Sequence, residues 1–247
     1  MLTTGLFINL RPYSTITKAS TASVRHAGID IMRATAVILM VIFHLAYDLN
    51  FFNVAAIDIP NGDGWREFRV LIVTLFLLSM GISLKLAYPS QLHWSKFIKR
   101  ITKLGVSAVL ISFASLLIVP ENWIFFGIIH FIFFASLCCI AFRNSPNIAL
   151  IIGGIILLVD YMQLVPRRWP FNYIEAYLPQ YTNDYTAIFP WLAIPFIGIW
   201  LAHQKLFVNY PFKNIKCPKY AEFISKNALI IYLLHQPIFF AIFYLFK

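Results

Sequence analysis

Long apolar runs separated by short polar segments set the rhythm of this chain. Seven of them approach or reach the roughly 20 residues that a bilayer-crossing helix needs. They are Met32–Phe52, Phe68–Ala87, Ile101–Val119, Trp123–Phe142, Ile148–Val165, Ala187–Phe207 and Ala228–Phe246. The fifth is short and softened by Gly153 and Gly154, so the count is seven to within one. The pattern predicts an all-α, polytopic transmembrane helix bundle. The first run lies in IDIMRATAVILMVIFHLAYDLNFF, where Arg33, Val37, His44 and Asp48 fall on one helix face. Eleven residues at 100° each close to within roughly 20° of whole turns. Ionisable groups in a membrane helix are costly and usually face a protein interior or a water-filled cavity. The stripe therefore marks a site inside the bundle.

Composition agrees with the pattern and narrows the class. Hydrophobic residues are 60% and charged residues 12% of the 247, with a mean hydropathy of +0.74, far from a soluble domain. The first 28 residues are read as a flexible cytoplasmic N-terminal tail, and residues 29–247 as a single membrane domain. No typical signal peptide is expected, because the first apolar run is too long for one. With the N-terminus cytoplasmic, 14 of the 20 basic residues fall on the inner side. They are Arg11, Lys18, Arg25, Lys85, Lys96, Lys99, Arg100, Lys103, Arg143, Lys205, Lys213, Lys216, Lys219 and Lys226. That asymmetry fits the positive-inside pattern and accounts for most of the net charge of +10. Nucleic acid is not indicated, since no basic, aromatic-studded soluble module is present.

Further polar residues inside the runs are candidates for the same site. His130 follows FFGII, His235 lies in IIYLLHQPIFF beside Gln236 and Pro237, and Asp160 lies in LLVDYMQ. Each histidine alone could equally be packing glue between helices; together with Asp48 they favour a functional cluster. No short-spaced His, Cys or carboxylate pair supports a metal. Pro190 and Pro195 are expected to loosen the sixth run near its outer end. Lys96, Lys99, Arg100 and Lys103 recur at helical spacing in HWSKFIKRITKLG. They can contact anionic lipid, or form a phosphate-binding patch at a membrane opening.

Six blocks in series, from IDIMRATAVILMVIFHLAYDLNFF through FLLSMGISL, KFIKRITKL, WIFFGIIHFI and NDYTAIFPWLAIPFIGI to IYLLHQPI, carry a family resemblance. Over about Ile29 to Tyr244 the chain resembles the bacterial heparan-α-glucosaminide N-acetyltransferase catalytic-domain family, long labelled a domain of unknown function. The first helix is also similar to that of integral-membrane acyltransferases that modify surface polysaccharides, whose Arg and His correspond to Arg33 and His44. Ala34 replaces the usual Gly after that Arg, and the luminal segment of the eukaryotic members has no counterpart.

The resemblance implies a bacterial inner-membrane enzyme. It would move an acetyl or other acyl group from cytoplasmic acyl-CoA to an extracytoplasmic amino sugar or hydroxyl. On that implication His44 is the expected general base, with Asp48 beside it and His130, Asp184, His235 and Asp160 as secondary candidates. Arg33, Lys96, Lys99, Arg100 and Lys103 are the expected binding residues for acetyl-CoA or another acyl-CoA. An acyl-histidine relay is the alternative mechanism. A transporter or proton-relay protein with the same buried stripe is the alternative function. Membrane lipids and a glycan acceptor are the expected partners, and a homodimer is compatible with the chain.

Overall fold

A computed structural model describes residues 26–182, 184–204 and 216–245. Most of the expected N-terminal tail, residues 1–25, lies outside them, as do Lys205, Lys213 and Lys247. Among the described residues all regular structure is helical, as the apolar runs predict. The long helices are α1 (Ala27–Phe51), α2 (Trp65–Ala87), α3 (Trp94–Ile118) and α8 (Ala228–Leu245), each long and apolar enough to cross a membrane. Shorter apolar helices stand between them: α4 (Ile128–Cys139), α5 (Pro146–Tyr161) and α6 (Ala193–Leu201). A short helix, α7 (Lys219–Lys226), precedes α8.

Local chemistry explains where the helices begin. Gly64 takes a left-handed φ of 83° just ahead of α2, a conformation that glycine enters without steric cost. Pro146 opens α5, where the missing N–H would have had no helical partner. The sixth run was expected to be helical from Ala187, but α6 starts only at Ala193. Pro190 lies in the turn before it, and Pro195 sits in its first turn, where an N–H is not needed. The two prolines therefore delay the helix rather than kink it.

Contacts fix the direction of each element. Arg33 reaches Ser83 while the ring of Phe43 meets that of Trp65, so α1 and α2 are antiparallel. Ser112 near the end of α3 bonds His130 at the start of α4. Arg143 and Asn144, following α4, return to Ser90 and Lys85 beyond and at the end of α2. α6 descends from Asp184 towards Ala202, which packs with Ile29 and Ile82. α8 runs parallel to α1, pairing Gln236 with Asp48 and Phe240 with Phe51. Apart from α7, successive helices thus alternate in direction. One end of the bundle gathers Arg33, Lys85, Lys96, Lys99, Arg100, Lys103 and Arg143 and is called the basic end below.

α2 is the central element, packed against α1 on one side and α6 on the other. A Cβ on Gly81 would lie 2.1 Å from the carbonyl oxygen of Pro195, and one on Gly198 2.8 Å from that of Leu78. The bare glycines let the two backbones touch, as small residues do in membrane bundles. The opposite surfaces of α3 and α8 are apolar and exposed, with Val109 and Leu117 both at 68%. Such faces suit lipid contact.

Candidate functional site

At the basic end, the guanidinium of Arg33 donates to Ser83 Oγ at 2.5 Å and to Ser225 Oγ at 3.2 Å. Ser225 in turn donates to Asp30 at 2.6 Å, so α1, α2 and α7 are laced together around this side chain. Beside it opens a cavity of about 520 Å³, a volume ordinary for a small-molecule site. Its basic rim is Arg33, Lys96, Lys99, Arg100 and Lys103, every one of the residues expected to bind a polyanion. Arg100 is half-buried, and its charge is repelled by that of Arg33. Among the described residues, none of the four basic side chains on α3 has a hydrogen-bonding or ion-pairing protein partner. Converging cations without counter-charges are the arrangement that phosphate groups recognise. Further in, the walls turn apolar, with Phe76, Met80, Leu104, Ile129 and Ile132, and the deep end is closed by Ile128 and Tyr232.

Tyr232 links the cavity to the histidines. Its hydroxyl donates to Asp184 Oδ2 at 2.9 Å, and its carbonyl accepts from His235 Nδ1 at 2.7 Å. The rings of His235 and His44 meet edge to face, centroids 4.7 Å apart. His44 Nδ1 lies 2.9 Å from the carbonyl of Met40, an acceptor, so the neutral ring carries its proton there and Nε2 keeps a lone pair. His235 has the same tautomer for the same reason. One turn beyond His44, Asp48 is fully buried, and its Oδ1 accepts from Gln236 at 2.7 Å. Asp48 Oδ2, Gln236 Oε1 and His235 Nε2 are buried without a protein partner. Three orphaned acceptors, one of them on an imidazole, are costly in a packed interior.

The remaining candidates divide. Asp184 Oδ2 also accepts the N–H of Ile128 at 3.1 Å, capping α4. It comes this close because residue 127 is glycine; a Cβ there would sit 2.5 Å from that oxygen. Asp184 also lies within electrostatic reach of His44. His130 is committed elsewhere: Nδ1 accepts from the Gly127 N–H at 3.3 Å, and Nε2 faces Ser112 Oγ at 3.0 Å. With both ring nitrogens engaged, it fastens α4 to α3. Asp160 stands half-exposed at the end of α5, away from the cluster.

Sequence reasoning missed Tyr232, Ser83 and Ser225. Tyr232 lies three residues before His235 and so shares its helix face, a signal that was present. Hydroxyls scattered in apolar runs carry no such signal.

An apolar helix bundle with a cation-rimmed internal cavity, ending near the buried His235 and the half-buried His44, defines an integral-membrane protein. Residues 25–237 match the family described as heparan-alpha-glucosaminide N-acetyltransferase, catalytic, and the chain belongs to that family of membrane acetyltransferases. Comparison with curated proteins and with solved structures finds no match.

Proposed function

We propose that the protein is an acyl-CoA-dependent transmembrane acyltransferase, taking an acetyl group at the basic end and delivering it to an amino sugar or hydroxyl at the other. The observation that carries this reading is one cavity joining a rim of five cations to Tyr232, whose carbonyl holds His235 against His44. Arg33 and His44 are about 16 Å apart at roughly 1.5 Å per residue, a span suited to an extended pantetheine arm. The residues present therefore fit acetyl-CoA: cations for its phosphates and an apolar channel for the arm. Bound, it would supply an activated acetyl thioester.

The chain's own groups then have distinct tasks. Arg33, Lys96, Lys99, Arg100 and Lys103 hold phosphate charge at the rim. His44 Nε2, the nitrogen left with a lone pair, accepts the proton of the attacking amine or hydroxyl, a task suited to an imidazole near neutral pH. Asp48 and Gln236 offer acceptors that orient the incoming group. The basic end is read as cytoplasmic on the positive-inside rule, in a bacterial inner membrane, with seven helices crossing in alternation.

Thermal unfolding of the detergent-purified protein tests the reading. CoA or acetyl-CoA at about 100 times its dissociation constant should stabilise the folded state by about 2.7 kcal/mol and raise Tm. Indifference at millimolar CoA overturns it and favours the transport alternative, in which the His and Asp groups relay protons.

A further inference from the structure

Resting on the acyl-transfer reading, we propose that Tyr232 is a gate between the donor cavity and the reactive histidines, latched by Asp184. Tyr232 is the polar side chain at the deep end of the cavity, whereas the other polar lining residues are the basic rim and Ser79. The hydroxyl of Ser79 is turned back onto the carbonyl of Phe76 in its own helix. The Tyr232 hydroxyl crosses instead to Asp184, in the segment ahead of α6, at 2.9 Å. His44 and His235 are not part of the cavity wall, yet the ring of His235 lies 5.6 Å from that of Tyr232. A thioester filling the cavity therefore stops against the tyrosine ring, with His235 the next ring beyond it and the base His44 after that.

Turning the phenol off Asp184 opens the way. The move does not leave the carboxylate bare, because Asp184 keeps the N–H of Ile128. The backbone of Tyr232 need not shift either, and its carbonyl continues to hold His235 Nδ1 in the tautomer that leaves Nε2 free. The latch thus separates two duties of one residue: the side chain closes the passage, and the main chain orients the imidazole beyond it. Closure in the absence of acceptor keeps water from the thioester. If water reached it, the water oxygen would bond to the acyl carbon and the C–S bond would break. Acetate and CoA thiol would form, one water proton passing through an imidazole to sulfur and the other released from the acetic acid to solvent.

The test measures acetate release from acetyl-CoA without acceptor, alongside transfer to a glucosamine acceptor, in purified full-length protein. Tyr232→Phe removes the latch and leaves the ring. It should raise the ratio of hydrolysis to transfer about fivefold, the factor one hydrogen bond of about 1 kcal/mol controls, with KM for acetyl-CoA within about twofold. Tyr232→Ala removes the ring too and should make hydrolysis the main reaction; Asp184→Ala, which removes the acceptor, should resemble Tyr232→Phe. A wild-type ratio in both Tyr232→Phe and Asp184→Ala overturns the gate while wild-type transfer leaves the acyltransferase reading standing. A wild-type protein that neither binds CoA nor transfers acetyl overturns both. Should Tyr232→Ala fail to fold, the Phe variant decides alone.

Discussion

His44 and Arg33 were legible because an α-helix repeats every 3.6 residues and an apolar run has no structural use for either polar group. The same logic found Asp48 and His235, and the structure brings all but Arg33 into one cluster. What the sequence could not supply was tautomer and partner. Met40 and Tyr232 dictate through their carbonyls which nitrogen of each imidazole is left with a lone pair, and a carbonyl has no signature in one-letter code. Replacing His44 with Ala should lower acetyl transfer by about 10²–10⁴-fold, the usual weight of a general base. Stabilisation by CoA should survive that change, because the rim is intact. Loss of transfer together with loss of CoA binding would point instead to a damaged fold. The reciprocal experiment is the charge reversal Arg100→Glu, which places an anion between Arg33 and the α3 lysines. It should abolish the CoA-dependent rise in Tm, and an undiminished rise would remove these cations from the donor site.

Helices proved easier to place than to measure. Each of the seven apolar runs holds a helix, but α4, α5 and α6 are shorter than their runs. The reason differs by element. α4 waits for Gly127 and the Asp184 cap, and α6 waits for Pro190 to pass. Hydropathy counts residues that dislike water; it does not count those free to donate an N–H. The contact of α2 with α6 was not foreseen either, since Gly81 and Gly198 are lone glycines in separate runs. Gly81→Val should force these backbones apart. Overpacking of this kind costs about 1–3 kcal/mol, and here the obstacle is backbone rather than a yielding side chain. A clear fall in Tm is expected, whereas Gly154→Ala, with open space around its Cβ, should leave Tm nearly unchanged or raise it slightly. Equal effects of the two would mean that α2 and α6 do not meet as described.

The all-helical class and the four longest apolar helices followed from hydropathy, while the internal route did not. Basic residues marked one end before any helix was located, and the alternating helix directions are what such an asymmetry requires. In a variant with Cys138, Cys139 and Cys217 replaced by serine, single cysteines at Ser90 and Asp63 should react with an impermeant maleimide from opposite faces of oriented vesicles. Labelling from the same face would break the proposed crossing pattern. The route through the bundle depends on residues far apart in sequence, Arg33 with Ser83 and Ser225, and Tyr232 with Asp184, which no single window of sequence joins. The tether at Arg33 has a mechanical corollary. Ser225 belongs to α7, which leads through Asn227 directly into α8, the helix that carries Tyr232, His235 and Gln236. An anion that drew that guanidinium away would leave α7 moored to α1 through the bond of Ser225 to Asp30, at the root of the helix that carries His235.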